Sequence, residues 1–137
     1  YDLIAYLQPT SPLRIPEDID NAIELLFHKK AQSVVSVCEV NHNPYWVNTL
    51  PKNGCMKNYI KPEIKSINKQ ELPKYYMLNG ALYVSRISYI KKQKGFFGDR
   101  TFSYIMPAER SVDIDKEIDF QFAEFLLLSY KKSTTAA

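Results

Sequence analysis

Three segments in the first forty residues restrict the fold more than anything else in the chain. Leu3-Ile4-Ala5-Tyr6-Leu7 is a short apolar run ending in the turn chemistry of Pro9 and Pro12, the pattern of a buried strand entering a loop. Pro16 then stands where a helix would begin, followed by Glu17 and Asp18, whose charges complement the helix dipole. Ile19, Ala22, Ile23, Leu26 and Phe27 recur at helical spacing and predict an amphipathic helix. Ser33-Val34-Val35-Ser36-Val37-Cys38-Glu39-Val40 is β-branched and predicts the next buried strand. Strand, helix and strand in that order predict a right-handed βαβ unit with a parallel sheet, and so an α/β domain.

From Asn41 to Tyr75 the character changes. Asn, Pro and Lys are frequent and the apolar runs are short, which predicts irregular hairpins protruding from the core. Gly80 to Val84 returns to the sheet, Ile87 to Lys94 predicts a short helix with a basic end, and Phe102 to Met106 predicts another strand. Ile118, Phe122, Phe125 and Leu126 recur at helical spacing and predict a closing helix that frays after Ser133. The expected organisation is a central βαβ part over 1–40, a protruding part over 41–75, the rest of the core over 76–132, and a frayed tail over 133–137.

With 137 residues, the chain is one domain or part of one, and 45% hydrophobic with 24% charged residues is an ordinary globular composition. The formal net charge of +3 suits an anionic ligand but is too small to argue for nucleic acid. The longest apolar run is too short to cross a membrane and no basic leader precedes it, so a soluble, cytoplasmic protein is expected. Cys38 and Cys55 form no motif and fit reduced thiols; His28 and His42 lack metal-ligand spacing. The chain has 4 glycines, none in a strand-to-helix loop that could cradle phosphates. It also opens at or beside a strand, as if cut from a larger fold.

The chemistry concentrates in Ser111-Val112-Asp113-Ile114-Asp115-Lys116-Glu117-Ile118-Asp119-Phe120. In an extended backbone Asp113 and Asp115 point the same way, while Val112 and Ile114 point the other. Two such carboxylates suit Mg2+, which takes one or two carboxylates together with phosphate oxygens and water. The competing expectation is a solvated turn that caps the following helix, and Asp119 is expected in that helix's first turn as a capping or dipole-matched residue. At the other end lies Leu7-Gln8-Pro9-Thr10-Ser11-Pro12-Leu13-Arg14. Gln8 falls at the C-terminal end of an expected parallel strand, where open α/β sheets bind ligands. Alternatively, its side chain satisfies the turn. Thr10 and Ser11 are expected to shape that turn, and Arg14 either meets an anionic group or is a solvated side chain beside a helix start.

Taken in order, Leu7 to Arg14, Leu72-Pro73, Asn79-Gly80-Ala81-Leu82-Tyr83, Phe96-Phe97, Ser111 to Asp115, Asp119-Phe120 and Ala123-Glu124 resemble the acylneuraminate (sialic acid) cytidylyltransferases. These enzymes are also called CMP-sialic acid synthetases, and the group includes relatives acting on legionaminic and pseudaminic acids. The resemblance covers nearly the whole chain. It implies a Rossmann-like nucleotide-diphospho-sugar transferase sheet with a protruding dimerisation subdomain, here 41–75, that reaches over the partner's active site. It implies formation of a CMP-sugar and pyrophosphate from CTP and a nine-carbon acidic sugar, with Mg2+ held by Asp113 and Asp115. It further implies that Gln8, Asn79 and Tyr83 contact the sugar, that Phe96 and Phe97 line its pocket, and that the enzyme is a homodimer. For Tyr83 and the two phenylalanines, core packing is the alternative. The family's phosphate loop lies on the first strand-to-helix turn, before this chain begins. The chain is therefore expected to be inactive alone.

Two positions depart from the family pattern. Many members carry an arginine ahead of the Leu-Pro pair, expected to meet the sugar carboxylate from the partner subunit; here that position is Lys69, which keeps the charge but not the bidentate fork. A second basic position in the protruding part is Trp46. Both leave the identity of the sugar open, with a bacterial relative of sialic acid favoured. The rival readings are a nucleotide-sugar glycosyltransferase, which also uses Asp-x-Asp and a metal, and a non-catalytic dimer-forming fragment.

Overall fold

In a computed structural model, which describes residues 1–64, 67–68 and 71–135, the core is built on α1 (Pro16–His28). Pro16 occupies the first turn with its φ already set for a helix. The Asp18 carboxylate reaches back to accept the Ile15 N–H at 3.0 Å, closing one of the otherwise unpaired donors of the helix start. One turn and two turns on, Ala22 and Leu26 are fully buried against Ala31, Val34, Leu82 and Val84. Ile19 and Ile23 pack at the rim of this cluster together with Leu3 and Leu7. Burying a leucine so completely contributes ~1.5–3 kcal/mol. The Lys29 N–H closes the helix onto the Leu25 carbonyl, and Lys30 then turns the chain at φ +50°.

The sheet has four strands in the order β1-β3-β2-β4, where β1 is Leu3–Tyr6, β2 Ser33–Glu39, β3 Tyr76–Arg86 and β4 Thr101–Ile105. β2 and β4 are parallel, with Ser33 opposite Thr101, whereas β1 and β3 are antiparallel, with Tyr6 opposite Tyr83. The fold is thus α/β with a mixed sheet, not the all-parallel one expected. The strand that follows β2 by a long excursion, β3, inserts between β1 and β2 and runs against β1. β1 also differs from the buried strand expected of it: Ile4, Ala5 and Tyr6 are exposed, because the strand sits at an end of the sheet with pairing on one side.

α2 (Ile87–Gln93) follows β3 directly and ends at Lys94 with φ +54°. α3 (Glu117–Thr135) closes the chain. Its packed side is not the large apolar stripe anticipated. Ala123 is buried and Leu126 half-buried, while Ile118, Phe122 and Phe125 are exposed.

The chain divides into two compact units, residues 1–38 with 78–137, and residues 39–77. Between β2 and β3 the described residues of the second unit form 3-10 turns at Pro44–Trp46 and Pro62–Ile64. Asn43 caps the first of these by accepting the Tyr45 N–H at 3.0 Å, and Tyr45 meets Tyr75 edge-on with ring centroids 5.7 Å apart. The Lys74–Glu39 pair at 2.9 Å is solvent-exposed on both sides, so it adds little stability. Cys38 is buried and Cys55 exposed; both are free thiols. Among the described residues no helix is long and apolar enough to cross a membrane.

Candidate active site

Three segments distant in sequence converge at one end of the sheet: the loop after β1 (Gln8–Arg14), the middle of β3 (Asn79–Tyr83) and the segment after β4 (Met106–Asp115). Their meeting point is the Asn79 side chain. Asn79 is 2% exposed, and its amide is used on both ends. Its Oδ1 accepts from Ser36 Oγ at 2.6 Å and from the Ala81 N–H at 3.2 Å. Its Nδ2 donates to Ser111 Oγ at 2.9 Å. Its backbone carbonyl accepts from Ser11 Oγ at 3.0 Å. Ser36 Oγ in turn accepts the Leu82 N–H at 2.8 Å, and Ser111 Oγ donates to the Pro107 carbonyl at 2.7 Å. Every buried side-chain N and O among the described residues has a partner, as polar groups out of water require.

Gly80 follows Asn79 with φ +69°, a left-handed conformation that glycine adopts without strain. A Cβ there would collide with Gln8 Oε1 and come within 3.2 Å of Ser11 Oγ. The missing side chain is therefore what lets the Gln8 amide lie over the β3 backbone. Within the loop, Arg14 Nη1 donates to the Gln8 carbonyl at 2.8 Å and to the Ser11 carbonyl at 2.6 Å. The Arg14 guanidinium thus braces its own loop. The Ile114 N–H donates to the Thr10 carbonyl at 2.8 Å, joining this loop to the carboxylate segment.

Tyr6, Tyr83 and Phe96 form an aromatic cluster. Tyr83 packs on Phe96 with centroids 5.0 Å apart, and Tyr6 meets Tyr83 at 5.8 Å and Phe96 at 6.1 Å. Burial raises the Tyr83 phenol above its ordinary pKa, with smaller contributions from Tyr6 and from the negative charge of Asp113. Tyr83 is thus held as a protonated hydroxyl within electrostatic reach of Asp113. Phe97 parts from its neighbour: it is exposed and lines a shallow apolar groove with Val35, Val37, Leu78 and Phe102. Lys69 lies outside the described residues.

Asp113 and Asp115 are exposed on a non-helical segment, and no hydrogen bond to either carboxylate is found among the described residues. Asp119 differs. Its Oδ2 accepts the Lys116 N–H at 2.8 Å and the Asp115 N–H at 3.1 Å, which makes it the cap of α3 and leaves the other two carboxylates uncommitted. No group of three or more His, Cys, Asp or Glu that could enclose a metal occurs among the described residues. Two free carboxylates without a protein cage fit the habit of Mg2+, which fills its remaining positions with water and phosphate.

Sequence reasoning gave no site role to Ser36, Asp18 or Arg110 and met Ser111 only as the first residue of the carboxylate motif, yet these residues hold the converging segments. Ser36 left a trace, as a polar residue inside a β-branched run; the other three are tied to partners far away in the chain.

No family model matches the chain. Among characterised proteins, it is 36% identical over 132 residues to the CMP-N,N'-diacetyllegionaminic acid synthase of Legionella pneumophila, covering 93% of this chain and 54% of that protein. It is 35% identical over 114 residues to the N-acylneuraminate cytidylyltransferase of Streptococcus agalactiae, covering 83% of this chain and 27% of that protein. The N-acylneuraminate cytidylyltransferase of Escherichia coli matches at 32% over 124 residues, 90% of this chain and 29% of the relative. The chain thus spans about half, or less, of the length of these relatives. Over nearly its whole length the chain is thus homologous to part of proteins named CMP-N,N'-diacetyllegionaminic acid synthase and N-acylneuraminate cytidylyltransferase.

Proposed function

We propose that this chain supplies the sugar-binding and metal-binding part of a cytidylyltransferase that joins CMP to a nonulosonic acid, a nine-carbon acidic sugar, with release of pyrophosphate from CTP. The observation that carries the reading is the convergence of Gln8, Tyr83, Phe96 and Asp113 at one end of the sheet, in a chain similar to proteins named for this synthesis. On this reading the sheet is the Rossmann-like core of a nucleotidyltransferase. The Gln8 amide and the Tyr83 hydroxyl orient the sugar by hydrogen bonds, and the ring cluster shields its reacting end from water. Asp113 and Asp115 hold Mg2+, which when bound neutralises charge on the phosphates. Asn79, with its amide already spent, serves the sugar site through the backbone it fixes. The apolar groove that Phe97 lines takes the acyl end of the sugar, and Lys69 meets the sugar carboxylate across a homodimer formed by the protruding 41–75 part. The enzyme works in the cytoplasm.

Alone, the chain is inactive on this reading, because no segment of it offers the glycine-rich loop that would grip the triphosphate. The test is calorimetric titration of N-acetylneuraminate and N,N'-diacetyllegionaminate into the chain with Mg2+, alongside CTP, with Gln8→Ala as control. Binding of one sugar, weakened about tenfold or more in Gln8→Ala, is expected, with no CTP binding; loss of one hydrogen bond to a substrate commonly has an effect of that order. CMP-sugar formation by the chain alone would refute the inactivity. No sugar binding by the folded chain, together with no CMP-sugar formation by a protein extended to the length of its relatives, would sink the function.

A further inference from the structure

The Asp18–Arg110 pair has no place in the chemistry above. Asp18 is fully buried, yet it carries a charge and collects four donors. These are the Ile15 N–H at 3.0 Å, Tyr104 Oη at 3.1 Å, and Arg110 through Nε at 3.2 Å and Nη2 at 2.7 Å. Helix capping needs only the first of these and is ordinarily done by an exposed side chain. The fork from Arg110 spans 92 residues of sequence and joins the start of α1 to the 3-10 turn Ala108–Arg110. Ser111 comes next, and Asp113 two residues later.

The segment leading to the carboxylates is held at several points. Met106 N–H donates to the Val37 carbonyl at 2.8 Å, Ser111 receives the Asn79 amide, and Ile114 N–H donates to the Thr10 carbonyl. The Arg110–Asp18 contact adds a charged, bidentate link to these, so it fixes orientation as well as position. At its other end Asp18 is rigidly tied to the Gln8–Arg14 loop, because α1 starts directly after that loop and Asp18 caps it. We propose that Asp18, acting through Arg110, is a positioning residue that latches the Ser111–Asp115 segment onto the Gln8–Pro12 loop and so fixes where Asp113 and Asp115 stand. Its meaning for the metal rests on the proposed role of those two carboxylates.

The test uses this chain with Asp18→Asn, which keeps the shape and removes the charge, and Arg110→Lys, which keeps the charge and removes the fork. Amide exchange by NMR is read at Ile114, whose N–H bridges the two loops, and at Leu82, whose N–H is bound inside the core. Mn2+ is titrated as a stand-in for Mg2+. Ile114 exchange is expected to rise about tenfold relative to Leu82 in Asp18→Asn, and less in Arg110→Lys. Mn2+ affinity is expected to fall about tenfold, the scale seen when groups supporting metal ligands are removed. A purely structural pair would move both amides together and leave Mn2+ binding by the folded protein unchanged, which overturns the proposal. Unchanged Ile114 exchange in a folded variant overturns it too. If Asp18→Asn does not fold, Arg110→Lys decides on the same two readouts. Should Ile114 respond while the unaltered chain fails to bind Mn2+, the latch stands and the metal role of Asp113 and Asp115 falls.

Discussion

Asn79→Ala separates two roles for one residue. If Asn79 were only a sugar ligand, its truncation would weaken sugar binding and leave stability alone. The structure predicts the opposite weighting. Truncation leaves the Ser36 hydroxyl without its acceptor and the Ala81 N–H without its partner, and removes the donor to Ser111. Ser36 and Ala81 are both buried, so water cannot replace the lost acceptor freely. A buried donor left unsatisfied costs ~1–3 kcal/mol, so two such donors give a loss of ~2–6 kcal/mol. Ser111 keeps its bond to the Pro107 carbonyl and adds little. Urea unfolding followed by far-UV circular dichroism reads this directly. With a slope of ~2 kcal/mol/M for a chain of this size, the midpoint should fall by roughly 1–3 M at unchanged slope. A loss under ~1 kcal/mol would show that the amide is not committed as described, and would return Asn79 to the sugar.

Two further changes test the surroundings. Burial opposes ionisation of Asp18, but the hydrogen bonds from Arg110, Ile15 and Tyr104 outweigh it and hold the carboxyl below its ordinary pKa. A folded pKa depressed in this way gives stability that is complete above the unfolded value of about 3.9 and lost as pH falls through the folded value. The stability gap between the unaltered chain and Asp18→Asn should therefore be constant from neutral pH down to about 4 and shrink below it, in urea midpoints taken across that range; a gap independent of pH there would refute the ion pair. Gly80→Ala should destabilise by ~1–2 kcal/mol through the left-handed backbone alone and displace the Gln8 amide. A chemical-shift change at the Gln8 side-chain amide is the check, and an unmoved Gln8 resonance would contradict its seat over β3.

Local signals gave the elements they could give. The α1 stripe, the β-branched β2 and the short basic α2 depend on neighbours within a few residues, and periodicity exposes them. β3 was visible only from Gly80 onward, because Asn79-Gly80 is a turn dipeptide by local chemistry. Here the positive φ sits inside an eleven-residue strand and makes room for Gln8. The insertion of β3 between β1 and β2 is set by pairing across some eighty residues, and no local pattern carries it. The same holds for the hub. Asp18 looks like a dipole-matched helix residue in sequence, and its burial follows only from Arg110 arriving from the far end of the chain. The Asp-x-Asp and Gln8 motifs were legible as chemistry. What orients them, a set of serines and one buried ion pair, consists of residue types too common to stand out.

The exposed strand β1 bears on how this chain behaves in a test tube. Among the described residues its outer edge pairs with no strand, and it is flanked by Ile4 and Tyr6 without an intervening charge to deter a newcomer. Such an edge is a template for strand addition, so two copies can zip together there and simulate a dimer. Light scattering on the chain should therefore be paired with Ile4→Lys, which places a charge on that edge and disfavours the zipper. Self-association that survives the lysine belongs to another surface, and association that vanishes is aggregation through an open sheet.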